Sequence, residues 1–548
     1  MRRWLPLALL VLLALTAFTG LGSVEALDER ESRDLVTAFE STNHREWLTP
    51  VFAYEPFFDK PLPGYAHEVV TRRFLRRLWP GDGGNLHEVM LSRIVRGVLA
   101  VALALAVVHL GLQAFGGRAG WLAGCALASM LGLPLATRTD GVQLYATLLA
   151  WLGIGRLVAA LTGATRAPGT SVLLGWLALG AAATTGGPWS ALWPVAGFAL
   201  YFALARRHDG WRRLDPWSGA LIVIGACLPW YGLMVAIHGP SFLGHVPWFP
   251  YAAGARASWW LAAPLALSFA VVASFPWTPL LGAAFADIAA RMRRAPAPAV
   301  PGGPLDMEHR EHLVLALSLA ALLPVALWPG PPLTSALPAL PAVALLVGRF
   351  VDRVFDGAGD PRAITHATRL LAAIGSGFAL IGTLLAARMP EAAPALRLLS
   401  AVLFGAVWAP LLADLRGARK VAVALFVLPA ALCVPIVHVR LLPALEPWLN
   451  ARGVAETLRR VADDDTPLVV LETPPTSLRQ ALGHNLVART RVTPDDLDVR
   501  ARDGAVYAAF RPAHEGDAMA ALAPLGGTSQ VLQRTPVLVL VRVRPAVR

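Results

Sequence analysis

Long apolar runs separated by short polar segments dominate this chain. A run of about 20 apolar residues can cross the hydrocarbon core as a helix, and the runs here predict about thirteen transmembrane helices. Their centres fall near Leu12, Ala102, Ala126, Leu149, Leu177, Phe198, Val223, Leu267, Leu319, Ala344, Ile374, Leu403 and Leu425. The first run follows Met1-Arg2-Arg3 and resembles a signal peptide, but a weak small-residue cleavage site favours an uncleaved span. The pattern predicts an α-helical polytopic membrane domain over residues 1–441.

Arginines accumulate in alternate loops between the predicted spans. On the side of Arg2 and Arg3, the loops carry Arg118, Arg166, Arg206, Arg207, Arg212, Arg213, Arg291, Arg293, Arg294, Arg349, Arg353, Arg362, Arg416, Arg419 and Lys420. Positive residues accumulate in cytoplasmic loops, so this bias predicts that the first loop and the C-terminus lie outside the cytoplasm. We expect a bacterial inner membrane protein whose active site and C-terminal domain face the periplasmic or extracellular side.

Composition excludes a soluble globular protein. Hydrophobic residues make up 56% of the chain and charged residues only 15%, with a mean hydropathy of +0.54. The net charge of +12 comes largely from the loop arginines and is therefore a topology signal. A nucleic-acid partner would need a basic face on a soluble domain, and the sequence shows none.

Two segments outside the spans predict ordered structure. The first outer loop covers residues 22–88 and has helical spacing over Glu29–Glu40 and Ala66–Leu78, with Val69, Val70, Phe74, Leu75 and Leu78 on one stripe. Residues 442–548 change to a soluble pattern, which predicts a small extracytoplasmic α/β domain. Its predicted strands are Pro467–Glu472 and Pro536–Val543, and its predicted helices are Ala451–Ala462 and Asp517–Ala523.

Charged residues in the outer loops are the candidates for chemistry. Asp28 and Glu29 follow the first span, and Asp140 lies in a very short loop on the same predicted face. Ionisable groups at a membrane edge are costly and are often functional. Acids at helix starts also act as caps, so Asp140 as the N-cap of the following helix remains an alternative. Lys60 stands before Pro61 and can hold a phosphate as a compact point charge.

A divalent metal (zinc, magnesium or manganese) is a further possibility at this face. Asp59 precedes Lys60, and its carboxylate can bind a metal or pair with that lysine. His245, and less readily His238, would supply nitrogen ligands from a second outer segment. The metal and the simple ion pair both remain open.

The order of these motifs resembles that of the GT-C glycosyltransferases that use polyprenyl-phosphate sugars. Within them it is similar to the lipid A aminoarabinose transferase and protein O-mannosyltransferase group. That group has a DExRYAE-like motif, an (E/D)KPxxGYW-like motif and a single Asp in the second outer loop. They correspond here to Asp28–Asp34, Asp59–Tyr65 and Asp140. Further similarities are Thr185–Pro188, Leu228–Tyr231, Phe275–Trp277 and Leu333–Pro338.

This resemblance implies a site and a reaction. The implied enzyme is an inverting hexosyl or pentosyl transferase that moves sugar from a polyprenyl-phosphate donor to a lipid, glycan or protein acceptor, with lipid A modification as one such role. Asp28 would act as the base and Asp140 would assist it. Lys60, Arg30 and Arg33 would hold the donor phosphate. Glu29, Tyr65 and His245 would line the substrate.

The sequence also departs from the group's pattern, which keeps a non-catalytic function open beside a transporter. Glu31 and Ser32 replace the motif's Arg and Tyr, Gly186 replaces the Lys of TKGP, and Ser335 and Pro331 replace a later Tyr and Lys. A non-catalytic scaffold of the same fold would tolerate these losses. A transporter or flippase of a lipid-linked substrate would instead favour charged, broken helices near mid-bilayer.

Overall fold

The protein is described here from a computed structural model. It describes residues 4–27, 30–43, 48–52, 55–71, 73, 76–78, 85–205, 208–245, 259–292, 304–327, 336–463, 466–471, 474–482, 486–489, 492 and 504–545.

Helices occupy most of the described chain up to Leu449. The first are α1 (Leu5–Ala17), α2 (Arg30–Asn43), α3 (Ala66–Val70), α4 (Arg76–Leu78), α5 (Asn85–Phe115), α6 (Gly117–Ser129), α7 (Gly132–Thr139), α8 (Gly141–Thr162), α9 (Pro168–Gly186), α10 (Trp189–Leu204), α11 (His208–Arg213), α12 (Pro216–His238), α13 (Phe242–His245), α14 (Trp259–Ala273), α15 (Thr278–Met292) and α16 (Met307–Leu327). The helices that follow are Leu340–Phe355, Arg362–Arg388, Ala393–Leu415, Arg419–Ala424, Leu428–Ile436 and Leu442–Leu449.

The apolar helices form a multi-pass membrane domain. Six helices in the described part are long and apolar enough to cross a membrane. The number is eight if α6 with α7 and the end of α14 with α15 each count as one bent span, and α1 and α10 are shorter apolar helices. Every predicted centre lies in a helix except Leu425, which begins a short 3₁₀ turn. This turn is part of the last helical segment of the membrane domain, Arg419–Leu449. The thirteen crossings themselves stay a prediction.

Glycines let some of these helices approach closely. A Cβ atom on Gly111 of α5 would lie 2.6 Å from the Cα of Gly120 in α6. A Cβ on Gly120 would lie 2.7 Å from the backbone nitrogen of Leu112. Small residues at such crossings are a common basis of helix association in membranes, where apolar burial drives little association. The α5–α6 contact therefore depends on the absence of side chains at its centre.

The first outer loop is more irregular than its sequence pattern predicts. Strands β1 (Val51–Phe52) and β2 (Glu55–Pro56) form a small antiparallel hairpin, and a 3₁₀ turn covers Leu62–Tyr65. The predicted helix Ala66–Leu78 is helical at Ala66–Val70 and at Arg76–Leu78, and part of the segment between them lies outside the described residues. Leu78 of the predicted apolar stripe is 80% exposed, whereas α3 buries His67 and Glu68. The stripe itself stays a prediction.

The C-terminal domain has a five-stranded mixed sheet. Its strands are β3 (Leu468–Val470), β4 (Leu486–Ala488), β5 (Val506–Phe510), β6 (Thr528–Arg534) and β7 (Val539–Arg544), in the order β4-β3-β5-β7-β6. Strand β3 pairs in parallel with β4 and β5, whereas β5, β7 and β6 pair antiparallel. The domain's helices are Arg452–Val461, Thr476–Leu482 and Glu515–Leu522.

The C-terminal domain follows the pattern of its sequence. A helix at Leu442–Leu449 precedes it, and the boundary at residue 442 stays a prediction. Within the domain, the predicted strands at 467–472 and 536–543 correspond to β3 and β7, and both predicted helices are present. Apolar residues alternate to the two faces of β5, with Tyr507 in one core and Phe510 in the other. A sheet covered on both faces explains why β5 reads as a continuous apolar run.

The α5–α6 crossing can be tested with a matched pair of glycine variants. We expect Gly120→Ala to lower the thermal unfolding midpoint in detergent, because its Cβ would collide with backbone atoms and overpacking costs about 1–3 kcal/mol. Gly155→Ala in α8 has open space around its Cβ and is the control. Equal midpoints for the two variants would show that the crossing tolerates a side chain.

Candidate active site

Asp140 is the centre of a buried charge cluster at the predicted outer end of the helices. It ends α7 and caps α8, since its Oδ1 accepts a hydrogen bond of 2.9 Å from the backbone N–H of Gln143. Lys60 Nζ lies 3.2 Å from the same oxygen, and Arg30 Nη1 lies 2.5 Å from Oδ2. Asp140 is 1% exposed. Asp140 is therefore the N-cap of α8, and its functional role stays a prediction.

The turn after Lys60 holds the lysine against the membrane helices. Pro61 precedes the 3₁₀ turn Leu62–Tyr65, in which Gly64 packs against the end of α9. A Cβ on Gly64 would lie 2.5 Å from the carbonyl oxygen of Thr185, so no larger residue fits there. The Pro-x-x-Gly spacing of the motif thus has a packing reason. It sets the lysine, 8% exposed, beside Asp140.

Helix α2 supplies the other charged groups from one helical face. Arg33 and Asp34 follow Arg30 by three and four residues, so each is a neighbour of Arg30 on the helix surface. Arg33 Nη2 pairs with Asp59 Oδ2 at 3.2 Å, and its guanidinium lies over the Phe57 ring. Arg30 is therefore the residue of α2 that joins Lys60 at Asp140, while Arg33 holds the neighbouring loop.

The two buried aspartates differ in their proton affinity. Burial opposes ionisation of Asp140, but Lys60 and Arg30 outweigh it and lower the pKa of that carboxyl to about 2. For Asp34, burial dominates and raises the pKa to about 6, with the charge of Asp140 adding to the effect and Lys60 opposing it. Asp140 is thus a permanent anion, whereas Asp34 can exchange a proton near neutral pH.

A second ion network lies beneath the first. Glu31 of α2 accepts hydrogen bonds of 2.8 Å from Nε and Nη2 of Arg93, and Arg96 Nη1 lies 3.3 Å away. Arg96 also donates to Glu68 of α3, which accepts a further bond of 2.8 Å from Ser92. The network joins α2 and α3 to α5, with Glu31, Glu68 and both arginines at most 1% exposed. It therefore holds the first outer loop on the helices.

Arg93 also binds the chain that enters α2. Its guanidinium donates to the carbonyl oxygens of Leu21, Val24 and Glu25 at 2.8 to 3.1 Å. Arg93, Arg96, Glu68 and Asp34 were not among the site residues predicted from the sequence. A signal for the arginines was present, because two cations at the start of an otherwise apolar helix need buried partners.

The predicted site residues fall into three groups. Lys60, Arg30 and Asp140 come together, and Tyr65 lies close enough to Asp34 and Asp140 for their charges to raise its pKa further, beyond the increase caused by burial. Arg33 and Asp59 pair with each other and not with Asp140. Asp28 and Glu29 lie outside the described residues, as does the side chain of His245.

The described part of the chain contains no set of ligands for the predicted metal. No group of three His, Cys, Asp or Glu side chains there could hold a metal ion. Asp59 pairs with Arg33, and His238 Nε2 lies 3.0 Å from the hydroxyl of Thr49. A metal at these residues stays a prediction that depends on His245.

An apolar groove runs along the lipid-facing surface of the helices, from the end that carries the charged cluster. It has a volume of about 690 Å³ and is lined by α9, α10 and α12. Trp217 lines one end of the groove, and Pro188 and Tyr231 line the other. Its walls face lipid, since Trp217 is 83% exposed. Tyr231 packs against Phe242, which in turn contacts Phe58, two residues before Lys60. The groove therefore ends beside the loop that carries the lysine.

Comparison with solved structures identifies the fold. The structure of ArnT from Cupriavidus metallidurans bound to undecaprenyl phosphate matches with a TM-score of 0.77 and 17% identity, covering 98% of each chain. The chain has the fold of ArnT. The apo structure of the same ArnT matches with a TM-score of 0.74 and 18% identity, covering 98% of this chain and 97% of the ArnT chain. The GT-C fold expected from the motifs is confirmed.

A more distant match has the same architecture. The archaeal oligosaccharyltransferase AglB from Archaeoglobus fulgidus, in complex with an inhibitory peptide and a dolichol-phosphate, gives a TM-score of 0.50 and 12% identity over 94% of this chain and 69% of that one. No protein-family model matches the sequence, and no curated protein matches it. At these identities the matches show the fold alone.

The buried network predicts a large loss of stability when one partner is neutralised. We expect Glu31→Gln to reduce the free energy of unfolding by roughly 3–5 kcal/mol, because it leaves Arg93 buried without its counter-charge. The control is Arg460→Gln, which removes an exposed pair with Glu456 of small expected effect. The check is thermal unfolding in detergent; equal midpoints for the two variants would mean that the network does not hold the loop.

The raised pKa of Asp34 predicts a pH-dependent stability difference. The folded protein holds the Asp34 proton up to about pH 6, whereas the unfolded chain loses it near pH 4, so this group's contribution to stability falls as the pH rises between these values. We expect Asp34→Asn to be more stable than the parent at pH 8, by on the order of 2–3 kcal/mol, and equally stable at pH 4. Thermal unfolding across pH 4–8 measures this difference, and a constant difference would refute the assignment.

Proposed function

We propose that this protein is a membrane glycosyltransferase that moves a sugar from a polyprenyl-phosphate donor to an acceptor at the outer face of the membrane. The observation that carries the proposal is the convergence of Lys60 and Arg30 on Asp140 at the membrane edge. Two cations share this one carboxylate, so a phosphate can be bound there with a favourable charge balance. The match to ArnT bound to undecaprenyl phosphate supports the same substrate class.

The lipid part of the donor also has a suitable place. A polyprenyl phosphate lies with its chain in the bilayer and its phosphate at the interface. The apolar groove along α9, α10 and α12 would take the chain, and it ends beside the loop of Lys60. Its lining is almost entirely apolar, as expected for a hydrocarbon ligand.

The reaction would be a single displacement at the anomeric carbon. The bond between that carbon and the phosphate oxygen breaks as the acceptor oxygen attacks from the opposite side, which inverts the configuration. Lys60 and Arg30 would stabilise the charge that develops on the departing prenyl phosphate. Asp140 positions both cations and remains ionised throughout, since it titrates near pH 2. No step is assigned to a metal.

The chain contains a natural control for the lysine. Among its 48 basic residues only Lys60 and Lys420 are lysines. Lys420 is exposed at the start of the last helical segment, near the predicted cytoplasmic end. The two alanine variants therefore make the same chemical change at opposite ends of the molecule.

The test uses the purified full chain with a panel of prenyl-phosphate pentoses and hexoses. Mass spectrometry measures the release of prenyl phosphate and the glycosidic products. We expect release from at least one donor, a loss of about 100-fold or more in Lys60→Ala, and full activity in Lys420→Ala.

Two results would reject the proposal. The first is no release from any donor by the parent protein. The second is equal activity of the two lysine variants. Uptake of a labelled lipid into vesicles without any glycosidic product would identify a transporter instead.

A further inference from the structure

Three polar groups beside Asp140 are buried without a hydrogen-bond partner among the described residues. They are Oδ2 of Asp34, the hydroxyl of Thr37 and the hydroxyl of Tyr65. All three residues are at most 4% exposed. Leaving such a group unpaired costs about 1–3 kcal/mol, so three together in one place point to a ligand that completes them.

The groups come from two elements that pack together. Asp34 and Thr37 are three residues apart on α2 and share a helical face. Tyr65 ends the 3₁₀ turn and packs with Ala38 of the same helix. The carboxylate of Asp34 also acts on the Tyr65 hydroxyl electrostatically. Asp34 and Tyr65 therefore lie close to each other and to Asp140, and Thr37 lies on the same face of α2 as Asp34.

Their chemistry favours an uncharged hydroxyl over a phosphate. A carboxylate and two hydroxyls offer acceptors and weak donors, which suit the O–H groups of an alcohol or a sugar. A second phosphate would meet the negative charge of Asp34, while Lys60 and Arg30 are already held at Asp140. The Nε of Arg33 is also buried without a hydrogen-bond partner among the described residues, but the charge of this guanidinium is paired with Asp59. The place is thus suited to an acceptor that offers a hydroxyl group and unsuited to one that offers a phosphate.

We propose that Asp34, Thr37 and Tyr65 form the acceptor subsite and that the nucleophile is an alcohol hydroxyl, whose proton passes to Asp34. The inference rests on the proposed function and names its acceptor class. As the acceptor oxygen bonds to the anomeric carbon, the carbon–oxygen bond to phosphate breaks and its electron pair leaves with the prenyl phosphate. The hydroxyl proton moves to the carboxylate, so charge and atoms balance.

The surroundings of Asp34 suit a base near neutral pH. The charged and titratable groups that act on it are Lys60, Asp140, Arg96, Arg33 and Tyr65. Burial raises the pKa of Asp34 to about 6 despite the cations. Asp140 cannot take this role, because Lys60 and Arg30 keep it ionised far below that pH. The rate of transfer should therefore rise as the pH increases through about 6.

The experiment compares two acceptor probes with the donor found in the panel. Dodecyl maltoside offers hydroxyls and dioleoyl phosphatidic acid offers a phosphate, both in a detergent without hydroxyl groups. Hydrolysis of the donor by water is measured as well, since water is also an O–H nucleophile. The variants are Asp34→Asn, Tyr65→Phe and the control Asp517→Asn, which lies exposed on the helix Glu515–Leu522.

We expect sugar on the maltoside and none on the phosphatidic acid. Asp34→Asn should lower transfer and hydrolysis about 100-fold at pH 7.5, remove the rise near pH 6, and leave the Kd for prenyl phosphate unchanged. Tyr65→Phe should raise the KM for the maltoside about tenfold with little change in kcat. Asp517→Asn should behave as the parent protein.

The inference is overturned if phosphatidic acid receives the sugar. It is also overturned if Asp34→Asn keeps either the transfer rate or the pH profile of the parent protein. These results require an active parent protein, so they differ from the failure of the proposed function, in which the parent releases no prenyl phosphate at all. Loss of prenyl-phosphate binding in Asp34→Asn would likewise count against a role confined to the acceptor.

Discussion

The arrangement of the outer loop depends on how charge is buried at the edge of a membrane. A carboxylate or guanidinium removed from water is tolerated only with partners of opposite charge. Asp140 meets this condition with one cation from the turn after β2 and one from α2. Those two contacts fix where the loop lies over the helices, and they also create the place where a phosphate would be held.

The deeper network explains how the loop carries a geometry precise enough for chemistry. Glu31 and Glu68 bring α2 and α3 onto the arginines of α5. Membrane helices give these elements a rigid base, because α5 is itself packed tightly on α6 through glycines. Glu31, which stands where the motif has an Arg, pairs with Arg93. Asp34 is held on the same helix, one turn further along.

Sequence motifs were a good guide to the fold and a partial guide to the site. The Lys-Pro-x-x-Gly-Tyr segment identified Lys60 and Tyr65, and the short loop identified Asp140, because special backbone and charge requirements leave visible residue choices. The inward-facing residues of α3 left no such sign in the sequence. Helical spacing alone cannot show that His67 and Glu68 turn inward, since their partners Arg96 and Ser92 are distant in the chain.

The sequence by itself determined that the chain is a helical multi-pass membrane protein and where its polar segments carry charge. These features are local, because they depend on the length of apolar runs and on neighbouring residues. Only the tertiary structure decided which acid keeps its proton. Asp34 and Asp140 are the same residue type, yet packing places two cations on Asp140 and leaves an oxygen of Asp34 buried without a hydrogen-bond partner among the described residues. Proton affinity depends on distance and burial, and both arise only when distant segments come together.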